Sequence, residues 1–182
     1  MRIGQNPAKS LESVEPPPRV MVAVVNYIPA LSGYFADSLN VLQTSLQSLW
    51  QHTDFPYELL VFDNASCAEV RQFLLQAHEQ GRIHYLLLSE NNIGKSAAWN
   101  IIFGSARCEL LAYADHDIFY YPGWLKALVD IVDHVPQVGM VTGMPLLNPE
   151  EFSTQTIAWA QTHPEAVLDR GRLLSWEDYW RH

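Results

Sequence analysis

The chain has 182 residues, 48% of them apolar and 17% charged, which excludes a disordered segment and demands a real core. A net charge of −9 excludes general affinity for nucleic acid, whose phosphates are gripped by clustered Lys and Arg. Cys67 and Cys108 form no CxxC pair or disulfide framework, no apolar run approaches the roughly 18 residues of a bilayer span, and no signal-peptide core opens the chain, so a cytoplasmic location is expected.

Residues 1–19 hold four prolines and little apolar pattern, which reads as a flexible or extended arm. "VMVAVVNY", Val20 to Tyr27, is a β-branched run of the kind buried on both faces of a sheet. In "SLNVLQTSLQSLW", Leu39, Leu42, Leu46 and Leu49 recur at helical spacing behind a capping Ser38. "YELLVFDNAS" is a second strand ending in Asp63-Asn64. Ser66 and Glu69 then suggest a capping box, opening a helix through Val70, Phe73, Leu74 and Ala77 to a stop at Gly81.

"RIHYLLL" predicts a third strand, the turn "SENNIG" follows it, and "KSAAWNIIFGSA" predicts a helix. "ELLAYA" is a strand that runs into Asp115-His116-Asp117, and Pro122-Gly123 starts a further helix through Leu125, Leu128, Val129 and Val132. "VGMVTG" predicts a last strand. Trp99, Phe103 and Trp124 fall at helical spacing and are expected in the core. Strands alternating with helices of about 10 to 15 residues predict βαβ units, hence an α/β fold with a mostly parallel sheet sandwiched between helices. The domain is expected over 20–145, with 146–182 a C-terminal segment of no clear pattern.

Ligands of open α/β sheets bind beyond the carboxyl ends of the strands. Four successive strands here end in polar groups: Asn26, then Asp63 and Asn64, then Asn91, Asn92, Gly94 and Lys95, then Asp115 and Asp117. An extended chain alternates its side chains, so Asp115 and Asp117 can share one face, where two carboxylates repel unless a cation compensates. Mg²⁺ or Mn²⁺, which takes carboxylate and phosphate oxygens and often only one or two protein ligands, suits that position against a diphosphate. Lys95 at a helix start adds positive charge beside free N–H groups, and Asp63 with Asn64 offers the acceptors and donor that read a base edge. Taken singly, Asp63 reads equally as a turn former, Asn92 and Gly94 as a turn, Lys95 as a solvated surface group, and His116, opposite the aspartates, as structural.

In order and approximate spacing, "VMVAVVNY", "ELLVFDNAS", "ENNIGKSAAWN" and "LLAYADHDIFYYPGWL" resemble family 2 glycosyltransferases over roughly Val20 to Pro145. The resemblance implies a GT-A fold and inverting, metal-assisted transfer from a nucleotide-sugar, most often a UDP-sugar, to an acceptor hydroxyl. It implies Asp115 and Asp117 as a DxD element on Mn²⁺ or Mg²⁺, with Asp117 the more direct ligand. It places Asp63 and Asn64 at the base, Asn92, Gly94 and Lys95 beside the nucleotide, and Asn26 and Tyr27 along the base pocket. The first strand departs from the family pattern, since Asn26-Tyr27-Ile28-Pro29 precedes an insertion-like "ALSGYFAD". An inverting enzyme needs a carboxylate base, for which "SWEDYW" supplies Glu177 and Asp178. The acceptor, whether glycan, lipid-linked or protein, stays open, as do peripheral membrane contact and homo-oligomer contact. The competing reading is a catalytically incomplete GT-A-like binding module.

Overall fold

The computed structural model describes residues 16–143, together with Gly4, Ala158 and Thr162. Most of the 1–19 arm and nearly all of the 146–182 segment therefore lie outside the described residues. The chain divides into two compact units, Met1–Val141 and Thr142–His182, and every strand and helix named below belongs to the first.

Four strands, β1 (Val20–Asn26), β2 (Glu58–Asn64), β3 (Tyr85–Ser89) and β4 (Leu110–Asp115), form one parallel sheet in the order β3-β2-β1-β4. Four α-helices connect or follow them: α1 (Ser38–His52), α2 (Ala68–Glu79), α3 (Lys95–Ser105) and α4 (Trp124–His134). The α/β architecture expected from the alternating pattern is the one observed.

The strand period of two sorts the core into two layers. Val20, Val22 and Val24 of β1 and Leu59 and Val61 of β2 meet Leu42, Leu46 and Leu49 of α1, Val70 and Leu74 of α2, and Leu125 and Val129 of α4. Met21, Ala23, Val25, Leu60 and Phe62 point the other way, onto Ala98 and Ile102 of α3. Each fully buried Val or Leu removes enough apolar area from water to contribute roughly 1.5–3 kcal/mol. Helix ends follow local chemistry. The Thr53 hydroxyl bonds the Leu49 carbonyl at 2.6 Å where α1 stops. Gly81, at φ 72°, lets α2 close with Arg82 N on Ala77 O and Gly81 N on His78 O, both at 2.9 Å.

Four local expectations fail, the first being the cap of α1, where Asp37 and not Ser38 holds the N-cap position. The "VGMVTG" run, residues 138–143, is not a strand. Among the described residues nothing pairs with the outer edge of β4, and a strand without a ladder has no backbone partners. Ser66 makes no capping box: α2 starts at Ala68 behind Cys67, and the Ser66 hydroxyl serves β1 instead. Phe103 is 51% exposed rather than in the core, stacked at 5.7 Å on Trp99, which does pack against the α3 layer.

Candidate functional site

The sheet order reverses at β1: β2 and β3 lie on one side of it, β4 on the other. Side-chain parity then divides the polar strand ends into two groups. Asn26 and Asp63, paired in register, turn toward α1 and α2, whereas Asn64 and Asp115 turn toward α3.

The first group is a buried latch. Asp63 is 0% exposed and accepts bonds from Asn26 Nδ2 (2.9 Å), the Ser66 backbone N–H (3.1 Å) and Arg71 Nε (3.3 Å). The Ser66 hydroxyl in turn accepts from Asn26 Nδ2 and from the Ile28 N–H, both at 2.9 Å. Arg71 reaches on to the Ser89 carbonyl at the end of β3 at 2.5 Å. One carboxylate thereby ties together the ends of three strands and the start of α2. Tyr27 packs edge-on to Phe35 at 6.3 Å in the loop that follows β1.

The second group runs from Asn64, itself buried, out to the exposed Lys95. Asn64 donates to Asn92 Oδ1 at 2.9 Å and accepts from the Ile93 N–H at 2.9 Å, while the Gly94 N–H bonds Asn92 Oδ1 at 2.8 Å. These bonds hold the turn that starts α3. Gly94, at φ 82° and ψ 156°, occupies a region essentially reserved for glycine. Lys95, first residue of α3, then reaches Asp115 Oδ2 at 2.7 Å across the point where the sheet reverses.

Asp115 and Asp117 do not share a face as the extended pattern predicts. β4 ends at Asp115, and a turn at His116-Asp117 carries Asp117 toward α1. Asp117 is exposed, makes no hydrogen bond or ion pair among the described residues, and lines a groove of about 290 Å³ with Asp37, Asn40 and Thr44. The segment after it is clamped to α1. Tyr120 N–H donates to the Ser48 hydroxyl at 3.0 Å, His52 Nδ1 lies 2.5 Å from the Tyr120 carbonyl, and the Trp124 indole donates to Thr53 at 2.9 Å. Burial pushes the Tyr120 phenol above its ordinary pKa, with Asp115, Tyr57 and Asp117 adding to the effect, so it stays neutral at physiological pH.

The sequence pattern pointed to Asn64, Asn92, Gly94, Lys95 and Asp115, and the fold brings these five together. It placed Asn26 and Asp63 with them, and the fold turns these two inward. Ser66 carried only a capping signal, and Arg71 and Ser48 carried none. Glu177 and Asp178 lie outside the described residues.

A family model for glycosyl transferase family 2 matches residues 34–168, most of the chain and all of the second polar group. The chain belongs to this family. The family 2 domain is 22% identical over 135 residues to an uncharacterized glycosyltransferase of Nostoc sp., covering 71% of this chain and 42% of that one. It also resembles solved GT-A structures: S. aureus TarS 1–349 in complex with UDP-GlcNAc (20% identity, TM-score 0.50, 68% of this chain and 37% of that one), and the mannosyltransferase PcManGT of Pyrobaculum calidifontis in complex with GDP-Man and Mn²⁺ (23%, 0.54, 72% and 38%). The family 2 domain thus spans about two fifths of the length of these relatives, and the GT-A fold is the part they share.

Two carboxylates of different standing suit a hard divalent ion. Asp117 has no partner among the described residues, and Asp115 already accepts a cationic group from Lys95. Among the described residues no group of three or more His, Cys, Asp or Glu could hold a metal without help. That donor set fits an ion that takes one or two protein carboxylates and fills its shell with substrate phosphate oxygens and water.

Proposed function

We propose that this family 2 domain transfers a sugar from a nucleotide-sugar, a UDP-sugar in the first instance, to an acceptor hydroxyl with inversion and with the aid of Mn²⁺ or Mg²⁺. The observation that carries the proposal is the pairing of Lys95 with Asp115 across the reversal of the sheet, with Asp117, two residues on in the turn toward α1, unpartnered among the described residues. In this reading Asp117, with Asp115, would hold the ion. The bound ion offsets the charge that grows on the diphosphate as it leaves.

The chain's own groups do the rest. Lys95 would contact the phosphates, at the N-terminus of α3 where backbone N–H groups favour anions. Asn64 and Asn92 hold that turn in place, and Tyr27 lines the nucleotide from the end of β1. Asp178, or Glu177 beside it, takes the acceptor proton as the acceptor oxygen bonds the anomeric carbon. The carbon–oxygen bond to the diphosphate breaks on the opposite face, and the nucleoside diphosphate departs with the bonding pair. Relatives solved with UDP-GlcNAc and with GDP-Man and Mn²⁺ support the substrate class.

One other reading is a donor-binding module that does not turn over, since both candidate bases, Glu177 and Asp178, lie outside the described residues. Nucleotide release from a panel of UDP- and GDP-sugars, with Mn²⁺ and simple glycoside acceptors, separates the two. Release that falls at least 100-fold in Asp178→Asn or Glu177→Gln supports transfer. Binding of a nucleotide-sugar without any release leaves the binding module.

A further inference from the structure

We propose that β3, at one edge of the sheet, is a self-association surface that pairs antiparallel with the β3 of a second copy of this chain, centred on Leu86. The strand lies two places from β1, away from the Lys95–Asp115 pair, and the proposal does not depend on the transferase reading.

Among the described residues nothing pairs with the outer side of β3. A sheet edge presents a row of unpaired N–H and C=O groups, and edges that must stay solitary carry lysine, proline or a bulge. β3 reads Tyr85-Leu86-Leu87-Leu88-Ser89, without a charge or a proline, and its register on β2 runs unbroken from Leu60 with Tyr85 to Asn64 with Ser89. Tyr85, on the α3 side, is 46% exposed, and Leu88, on the other face, is 43% exposed. Both faces of this edge therefore offer apolar surface to a neighbouring strand.

Charge decides the occupant. Arg82 precedes the strand and Glu90 follows it, each four residues from Leu86. Both are exposed, and neither enters an ion pair among the described residues. Antiparallel pairing centred on Leu86 sets Arg82 opposite the partner's Glu90, and Glu90 opposite the partner's Arg82, the favourable cross-strand arrangement. The opposite edge, β4, has an acid at both ends, Glu109 and Asp115, and gains nothing of this kind. The β3 edge is also held in shape beforehand, which lowers the cost of association. At its entry the His84 N–H donates to the Leu59 carbonyl at 2.9 Å and the Leu59 N–H donates to His84 Nδ1 at 3.0 Å, and at its exit Arg71 donates to the Ser89 carbonyl at 2.5 Å. The Arg82 guanidinium lies 5.0 Å from the centre of the Trp50 ring, a stacking that keeps its N–H edge free for a carboxylate. Antiparallel pairing turns the carboxyl ends of the two parallel sheets in opposite directions, so both candidate sites stay open. Strands of five residues make a small interface, for which a micromolar dissociation constant is expected.

Sedimentation equilibrium of the full chain from about 1 to about 200 µM should show a reversible monomer–dimer equilibrium. Leu88→Lys, which sets an ammonium on the edge, should weaken the dimer at least about tenfold. Arg82→Glu and Glu90→Arg should each weaken it several-fold, and the two combined should restore it, because the exchange keeps opposite charges opposed. Leu88→Lys and Glu90→Arg alter exposed side chains, so their circular dichroism should match that of the native chain and their effect should fall on association alone. A chain that stays monomeric over the whole range overturns the proposal. In that case, slow amide exchange throughout β3 would show the edge covered by the chain's own residues, and fast exchange would show it left to solvent. A dimer unchanged in Leu88→Lys, or a double variant that stays dissociated, overturns it as well.

Discussion

Lys95 and Asp115 stand 20 residues apart in sequence and 2.7 Å apart in space, on a pair that is 63% and 44% exposed. Exposed pairs contribute only about 0–1 kcal/mol, so this one is poorly explained by stability. Lys95→Ala should therefore leave the melting temperature within about 2 °C while weakening Mn²⁺-dependent nucleotide affinity on the order of tenfold, as calorimetry would read. A large stability loss with intact affinity would make the pair a scaffold contact. Asp63 presents the opposite case. Its buried carboxylate accepts from the Arg71 guanidinium Nε and the Ser66 N–H, so Asp63→Ala should destabilise the domain by about 2–4 kcal/mol in urea unfolding. Loss of nucleotide affinity without loss of stability would instead make it a base contact.

At the scale of elements, the start of α3 is the most constrained piece of the site. Gly94 sits at φ 82° and ψ 156°, where a Cβ is strained whatever space surrounds it. Gly94→Ala should cost about 1–3 kcal/mol and should weaken nucleotide binding with it, because the same turn aims Lys95 and the first N–H groups of α3. Affinity unchanged in a folded Gly94→Ala chain would separate that turn from the ligand. At the other end of the sheet, Arg19 bonds Glu109 at 3.1 Å and Asp133 at 2.9 Å, joining the entry of β1 to the approach to β4 and to the end of α4. The hydrogen bond from Arg19 holds the Asp133 carboxyl below its ordinary pKa of 3.8. A depressed carboxyl contributes stability above its unfolded pKa and loses it as pH falls through the folded one. Asp133→Asn should thus flatten the acid limb of the stability profile below about pH 3.8, and an unchanged limb would remove this pair from the explanation.

For the whole molecule, the strand and helix order was legible because β-branched runs and Leu42, Leu46 and Leu49 repeat at the periods the elements impose. The polar strand ends were legible as a set, since parallel sheets gather their loops at one end. Their division into two groups was not. It depends on which face β1 and β2 turn toward α1, and one position of register decides whether Asp63 turns toward Arg71 or toward the α3 side. The turn at His116-Asp117 was hidden too, because alternation holds only while the chain remains extended. The failed "VGMVTG" strand shows the same dependence, since its composition suits a strand but no described neighbour pairs with it.

In the proposed reading, the reversal of the sheet beside β1 holds a nucleoside diphosphate through a divalent ion on Asp117. The most direct measurement is calorimetric titration of UDP, and of GDP in parallel, into the native chain and Asp117→Asn, each with and without Mn²⁺. The expected result is one site that needs Mn²⁺, weakened at least tenfold by Asp117→Asn while the melting temperature is unchanged. Binding indifferent to Mn²⁺ or to that substitution, or no binding of either nucleotide, would contradict the claim.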